Sequence, residues 1–361
     1  MEPLIGHHRI ATWISVAALA VLAQDPVAAP PRSAPHSASG LQGTSTERKT
    51  EADWVEVDKV VDGDTIHVRR GGKVEKLRLL SVDTEERFGP GHTGTATKPL
   101  TVFGEETALW AEKLFGDLAK SGAPVKVGLL FPGGAEQRDV YGRLLSHVLL
   151  PDGTDYNLML VQLGKSPYFN KYGNDLLDHA AFVAAQRSAR EAKLGIWDPS
   201  TNEPKTPGAP ESKRPYAELI AWWNARALAV ESWRKRAASE PGKVADAEDP
   251  ATLERAARAG TEVEVFGEVD RIFPERNGDK TVLFRTSEKG EATRVVIPAA
   301  FASDHDKLDL TALTREFRQN YVWVRGVVRR GTRGFEMRSD GPERWRRAGP
   351  EPALPPPKFA K

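Results

Sequence analysis

The chain has 361 residues, 40% of them apolar and 28% charged, a balance typical of globular proteins and long enough for two domains. Its net charge is only +1, from 51 basic and 50 acidic side chains, so any attraction for a nucleic acid must be local. The sequence has no cysteine, which excludes disulfides and cysteine-based metal sites but leaves the cellular compartment open.

The first 23 residues have the pattern of a secretory signal. Arg9 precedes an apolar run over residues 11–23 that ends in small residues. We expect cleavage after Ala23, because this run is too short for a comfortable membrane span of about 20 residues. The mature protein would then have no membrane span and would be secreted or periplasmic. The alternative is an uncleaved N-terminal membrane anchor.

A first domain is expected over residues 51–198, after a disordered linker over residues 24–50 that is rich in Ala, Pro, Ser, Gly and Thr. Alternating apolar residues predict about five strands, at residues 55–61, 65–69, 74–82, 125–131 and 143–150. Apolar residues at steps of three and four predict three helices, which begin near Gly104, Asn157 and Asp175. A long loop over residues 87–103 precedes the first helix.

The second half begins with a Pro-rich linker over residues 199–212. A helical segment over residues 213–259 follows, in which three tryptophans at helical spacing are expected to pack in the interior. Residues 260–348 predict five strands with a helix near residues 310–317, before the fourth strand. This order is that of a small OB-type barrel. Residues 349–361 are expected to form a disordered tail.

Two carboxylates flank a glycine at residues 62–65, a pattern that alone would indicate an ordinary turn. The next predicted strand carries Arg78 in a nearly continuous apolar run, where a buried arginine needs an anion, either a carboxylate or a phosphate. Asp83 follows that strand directly. Carboxylates that emerge from neighbouring strand ends, Asp64 and Asp83, suit a hard cation such as Ca²⁺.

A third segment, residues 139–143, places a second arginine at the start of a strand. Gly142 allows the backbone to turn tightly just before it. Arg143 could therefore converge on Arg78. Taken alone, it would be interpreted as a solvated arginine beside a turn.

Together these segments resemble the staphylococcal nuclease (thermonuclease) family in their order and spacing. The matching pieces are residues 62–65, 78–80, 82–84 and 86, then 139 and 141–143, and finally 194–197. The resemblance covers residues 54–197. It implies a mainly β fold with α-helices, an OB-type five-stranded barrel with three helices, and calcium-dependent hydrolysis of DNA and RNA.

The resemblance also implies roles for eight residues of this chain. Metal ligands would be Asp64, Asp83 and the backbone carbonyl of Thr84. Glu86 would position or deprotonate the attacking water, and phosphate would be held by Arg78 and Arg143. Tyr141 and Tyr168 would lie near the bound nucleotide.

Two features depart from the family pattern. Glu85 stands where the family usually has proline, so a carboxylate could compete with Glu86 beside the metal. The loop over residues 87–103 is also longer than in the small members of the family, and it borders the expected cleft.

The second domain offers a basic cluster and aromatic residues, which suggest binding of single-stranded nucleic acid. The residues in question are Arg325, Arg329, Arg330, Arg333, Arg344, Arg346 and Arg347, with Tyr321, Trp323 and Phe335. A purely structural role for this domain is the alternative. For the whole protein, the alternatives to a nuclease are a nucleic-acid-binding protein without activity and an envelope scaffold that docks a partner protein.

Overall fold

The computed structural model describes residues 52–89, 92, 94–95, 97–119, 122–139, 141–203, 213–286, 292–310 and 320–349. The predicted signal segment, the linker after it, most of the second linker and the tail lie outside these residues. The helix predicted near residues 310–317 also lies almost entirely outside them. Within the described part of the chain, every helix is too short or too polar to cross a membrane.

The first domain contains the predicted barrel. Its strands are β1 (Asp53–Val60), β2 (Thr65–Arg70), β3 (Lys73–Leu79), β4 (Lys126–Leu130), β5 (Gln137–Arg138) and β6 (Leu144–Leu149). They pair in the order β3-β2-β1-β4-β6-β5, and a parallel pairing of β3 with β6 closes a five-stranded barrel. The prediction of an OB-type barrel is confirmed, and the two-residue β5 is an addition that was too short to show a pattern.

Three helices accompany the barrel: α1 (Val102–Leu118), α2 (Tyr156–Gln162) and α3 (His179–Glu191). Helix α1 begins two residues earlier than predicted, because the Thr101 hydroxyl accepts a hydrogen bond from the Gly104 amide at 2.9 Å and caps it. Helix α3 begins four residues later, because Asp178 caps it. Phe115 of α1 packs edge-on against Tyr156 of α2, with ring centroids 5.1 Å apart.

Strand β3 ends at Leu79, three residues earlier than predicted. Ser81 adopts a positive φ of 62°, a left-handed conformation that extended backbone does not have. This break turns the chain out of the sheet just before Asp83.

The second half contains three helices and eight strands among the residues that the structure describes. The helices are α4 (Tyr216–Ser239), α5 (Pro250–Ala259) and α6 (Ala302–His305). The strands are β7 (Val244–Asp246), β8 (Glu262–Pro274), β9 (Lys280–Phe284), β10 (Thr293–Ile297), β11 (Tyr321–Val327), β12 (Arg329–Gly331), β13 (Gly334–Arg338) and β14 (Trp345–Arg347).

The pairings of these strands repeat those of the first barrel except one, because β11 pairs with β14 where β4 of the first barrel pairs with β6. Antiparallel pairs join β8 to β9, β9 to β10 and β8 to β11, and β10 pairs in parallel with β13. The three short strands β7, β12 and β14 extend this sheet and were not predicted from the sequence.

Helix α4 packs against both β domains. Trp223 is buried and meets Phe169 edge-on, with ring centroids 4.8 Å apart. Further along the helix, Trp233 stacks on Phe266 of β8 at 6.0 Å. The prediction that the tryptophans of this helix are packing residues is therefore confirmed.

Candidate active site

The β2–β3 hairpin brings Asp64 beside Arg78. Thr65, the first residue of β2, pairs with Arg78 across the hairpin. The Leu79 amide also donates to the Asp64 carbonyl oxygen at 3.1 Å. Asp83 follows on the same chain segment, so the two predicted metal carboxylates lie at one end of this hairpin.

Arg78 bridges these two carboxylates. Its Nη1 forms an ion pair with Asp64, and its Nη2 lies 2.8 Å from Asp83 Oδ1. Both aspartates are buried. Burial alone would raise the pKa of Asp64, but the charges of Arg78 and Lys98 outweigh it and hold the pKa below its usual value. The site is therefore a buried pair of ionised carboxylates.

A lysine that the sequence analysis missed lies among these carboxylates. Lys98 Nζ is 3.1 Å from Asp83 Oδ1, 2.8 Å from Glu86 Oε1 and 3.8 Å from Asp64 Oδ2. Lys98 comes from the loop over residues 87–103, where no pattern distinguishes it from a solvated lysine. Its ammonium marks a position where three carboxylates converge on a single cation.

Thr84 is buried next to Asp64, and its amide donates to Asp64 Oδ2 at 2.7 Å. The Asp83 amide donates to the Ser166 hydroxyl at 2.8 Å. These two bonds fix the backbone on both sides of the Asp83 carbonyl and hold the segment against the barrel.

Glu86 faces two groups that the sequence analysis assigned no role. One oxygen or nitrogen from each of Asp62, Glu86 and His92 lies within 4.8 Å of the others. Burial, followed by the charge of Asp64, raises the pKa of Asp62 to about 6. The residues available to a cation therefore extend beyond Asp64 and Asp83.

Glu85 is not the rival carboxylate that the sequence suggested. It is only 3% exposed. Its Oε2 accepts hydrogen bonds from the Thr101 hydroxyl at 2.6 Å and the Asn202 amide at 2.7 Å, and its Oε1 accepts one from the Tyr216 hydroxyl at 2.8 Å. Because both oxygens already accept hydrogen bonds, Glu85 has a structural role and links the start of α1 to residues 202 and 216.

Arg143 directly precedes β6, the strand that pairs with β3, but its side chain is engaged elsewhere. The β3–β6 register places Leu144 beside Leu77. The Arg143 Nε donates to Asp139 at 2.6 Å, and its guanidinium lies 5.5 Å from the Tyr141 ring centroid. Tyr141 itself is 81% exposed and open to a ligand. In the described part of the chain, Asp139 is the one acidic side chain that is ion-paired with Arg143.

Tyr168 does not have the surroundings expected of a nucleotide contact. It is only 2% exposed and packs against Phe182, with ring centroids 5.2 Å apart. Its hydroxyl lies 2.9 Å from His179 Nδ1 and accepts a hydrogen bond from the Asp175 amide at 2.7 Å. Burial leaves neither ring face free for stacking, so Tyr168 has a packing role in this structure.

Arg214 is a second cation that the sequence analysis missed. It lies just after the second linker, and its side chain is buried. Its Nη2 forms an ion pair with Asp83 Oδ2, its Nη1 donates to the Asp83 carbonyl at 3.0 Å, and its Nε donates to the Thr97 carbonyl at 2.6 Å. No local sequence signal could have connected it to residues more than a hundred positions earlier.

The second sheet does not offer the stacking surface considered from the sequence. The three aromatic side chains in question are buried in its interior: Tyr321, Trp323 and Phe335. Part of the basic cluster is also paired with acidic residues, because Arg325 and Arg344 contact Glu262 and Arg346 contacts Glu264. These contacts favour the structural alternative for this domain.

Comparisons with known proteins agree with this geometry. Residues 76–199 match the family model described as staphylococcal nuclease homologue. The chain is similar to an uncharacterized protein of Methanocaldococcus jannaschii, at 31% identity over 156 residues, 40% of this chain and 72% of that protein. It is also similar to endonuclease YhcR of Bacillus subtilis, at 34% identity over 146 residues, 39% of this chain and 11% of that protein.

A further relative is the thermonuclease of Staphylococcus intermedius, at 29% identity over 147 residues, 39% of this chain and 74% of that protein. The family model covers Arg78, Asp83, Glu86 and Arg143, together with β4 to β6 and the three helices of the first domain. The chain belongs to the staphylococcal nuclease family.

Proposed function

We propose that this protein is a secreted nuclease that hydrolyses phosphodiester bonds in DNA, RNA or both, with Ca²⁺ bound by Asp64, Asp83 and the Thr84 carbonyl. The family and the relatives named endonuclease and thermonuclease support hydrolysis of nucleic acid. Export is proposed from the signal-like pattern of the first 23 residues.

The observation that supports a cation site most directly is the position of Lys98. Its ammonium lies within 4 Å of three carboxylates, so it stands where a bound cation would balance their charge. The donors are oxygens, and the chain has no cysteine, so the set suits a hard divalent ion such as Ca²⁺. A divalent cation there would act as a Lewis acid and offset negative charge on the phosphate.

Arg78 is suited to hold the phosphate beside that cation. Its planar fork matches two phosphate oxygens as well as it matches the two carboxylates it now contacts. A cation between Asp64 and Asp83 would take over the balance of their charge and release the fork for substrate. Placed beforehand, such a donor stabilises charge that develops in the transition state.

Glu86 is the best-placed general base for the attacking water. Its carboxylate lies at the edge of the cluster, 2.8 Å from Lys98 and 3.5 Å from His92 Nδ1. It is half-buried, so it can meet both the cation site and solvent. Arg143 and the exposed Tyr141 lie on the neighbouring strand end, where they could receive the rest of the substrate once Arg143 leaves Asp139.

Digestion of single-stranded DNA, duplex DNA and RNA by the purified full chain tests this function. We expect cleavage with calcium and none with chelator. Arg78→Ala should reduce the rate by about 10²–10³, and Glu86→Ala by about 10²–10⁴.

Arg69→Ala is the matched control, because this exposed arginine lies on the same hairpin and pairs with Asp58 rather than with the site. Its rate should equal that of the unaltered protein. Undiminished cleavage in chelator would refute the metal mechanism, and nucleic-acid binding without cleavage would support the inactive alternative. The N-terminal residue of the exported protein tests cleavage after Ala23.

A further inference from the structure

The candidate active site draws a residue from outside the matched family segment. The family model ends at residue 199, and Arg214 lies beyond the second linker, two residues before α4. Its side chain nevertheless reaches Asp83. Through Tyr216, the same stretch also binds Glu85 at 2.8 Å. The segment that leads into the second half is therefore built into the wall of the site.

The two oxygens of the Asp83 carboxylate contact different basic side chains. Oδ1 faces Arg78 at 2.8 Å and Lys98 at 3.1 Å, on the side where the carboxylates converge. Oδ2 is held by Arg214, whose Nη1 also binds the Asp83 carbonyl at 3.0 Å. The guanidinium thus fixes both the side chain and the backbone of Asp83, and it leaves Oδ1 directed at the cation position.

Arg214 is held rigidly in this position. Its side chain is only 4% exposed, and its Cζ lies 5.5 Å from the Tyr216 ring centroid and 5.6 Å from that of Trp223. A residue so enclosed cannot swing out to bind phosphate. Its Nε bond to the Thr97 carbonyl, at 2.6 Å, also ties down the residue before Lys98.

Two effects of Arg214 on a cation at this site oppose each other. Its positive charge repels the cation, which would weaken binding. Its fork orients a ligand carboxylate, and partners of this kind typically contribute about 10–100-fold to metal affinity. Because Arg214 occupies the oxygen that faces away from the cluster, orientation should outweigh repulsion.

We propose that Arg214 is a positioning residue for Ca²⁺, supplied by the segment beyond the family domain, which orients Asp83 through its bidentate fork. The inference rests on the proposed calcium-dependent nuclease function and concerns the part of the chain that the family comparison does not cover.

Calcium titration of the full chain by calorimetry tests this proposal without reference to cleavage. Arg214→Lys keeps the charge but loses the fork, and Arg214→Met loses both. We expect calcium affinity to fall by about 10–100-fold in each variant, while cleavage recovers when calcium is raised to saturation. If Arg214→Met does not fold, Arg214→Lys alone decides.

Arg226→Met is the matched control. Arg226 is another buried arginine of the same region, but it contacts Glu268 at 3.1 Å and Asn320 rather than the site. It should lower the melting temperature and leave calcium affinity unchanged.

The outcomes are distinguishable. Three results would overturn this inference and leave the proposed function standing. They are unchanged calcium affinity in both Arg214 variants, tighter calcium binding by Arg214→Met, and an equal loss of calcium affinity in Arg226→Met. Absence of calcium binding by the unaltered protein would overturn the proposed function and this inference with it.

Discussion

At the scale of single residues, the site is a balance of buried charges. Three basic side chains contact Asp83: Arg78, Lys98 and Arg214. They do not act alike. Arg214 holds the oxygen that faces away from the cluster, whereas Lys98 lies between the carboxylates themselves. Arg214 and Lys98 both contact Asp83, but they should therefore have opposite effects on calcium affinity.

Replacement of Lys98 by Met should tighten calcium binding by at least about tenfold. Two unit charges 4 Å apart interact by about 4 kcal/mol near a protein surface, and a tenfold change needs about 1.4 kcal/mol. Calorimetric titration of the variant measures the change. Lys113→Met is the control, because Lys113 pairs with Asp117 on the surface of α1. Unchanged or weaker calcium binding by Lys98→Met would contradict the view that its ammonium competes with the cation.

The sequence could identify some of these residues and not others. Asp64, Arg78 and Asp83 lie at ends of strands whose apolar patterns are visible, so their convergence follows from strand pairing. Lys98 and Arg214 lie in segments without periodicity, and only the tertiary fold brings them to Asp83. Tyr168 shows the reverse problem, because the resemblance to the family implied a nucleotide contact for it while its side chain is buried.

At the scale of secondary-structure elements, a buried histidine joins the parts that support the site. His147 of β6 lies 2.9 Å from Asp155, the cap of α2, and 2.8 Å from Asp175. Asp175 also accepts a hydrogen bond from the Ser81 hydroxyl at 2.5 Å. Since Ser81 is the residue at which β3 breaks toward Asp83, this network connects the barrel to the candidate active site.

The same network predicts a dependence of stability on pH. Burial would lower the pKa of His147, but the charges of Asp155 and Asp175 outweigh it and raise the pKa to about 10. In the unfolded chain the value is about 6.5. The folded state therefore holds its proton more tightly, so the stabilisation is complete below pH 6.5 and is lost as the pH rises through 10.

Denaturant titrations between pH 6.5 and 10 should show the free energy of unfolding decreasing in the unaltered protein. His147→Gln should lower the free energy of unfolding by about 3–5 kcal/mol at pH 6.5, as expected when one member of a buried ion pair is removed. In this variant the free energy of unfolding should also lose most of its dependence on pH. His67→Gln is the control, because His67 is partly exposed beside Lys59 and Lys76 and its pKa is lowered by burial and by those charges. Equal slopes for the unaltered protein and His147→Gln would refute the assignment.

The elements themselves were largely predictable. Ten predicted strands and the helices of the first domain follow from apolar periodicity, which depends on which face is buried. Their ends depended on side-chain bonds that periodicity does not reveal, as with the Thr101 cap of α1. The strands β7, β12 and β14 were missed because three residues cannot establish a pattern.

At the scale of the whole molecule, α4 connects the nuclease domain to the second sheet. Trp223 packs on Phe169 of the nuclease domain, and Trp233 packs on Phe266 of the second sheet. Arg226, between them, is buried against Glu268 and lies 4.2 Å from the Tyr321 ring centroid. These contacts lie along one helix, so the two β domains should unfold together rather than independently.

Replacement of Trp223 by Ala tests this coupling. Trp223 is 2% exposed, and its loss should cost about 3–5 kcal/mol. Calorimetric melting of the unaltered protein should show a single transition that calcium raises, because a ligand that binds the folded state stabilises it. In Trp223→Ala the transition should separate into two, and calcium should raise only the one that belongs to the nuclease domain.

Leu228→Ala controls for changes elsewhere on α4, because Leu228 is 62% exposed on that helix. Its melting profile should remain single and shift little, as substitutions at exposed positions usually change stability by less than about 0.5 kcal/mol. A single calcium-sensitive transition in Trp223→Ala would show that contacts other than Trp223 couple the domains. Two transitions in the unaltered protein would show that α4 does not couple the two domains. The contact of Arg214 with Asp83 would then connect the active site to the segment after the linker but not to the second domain.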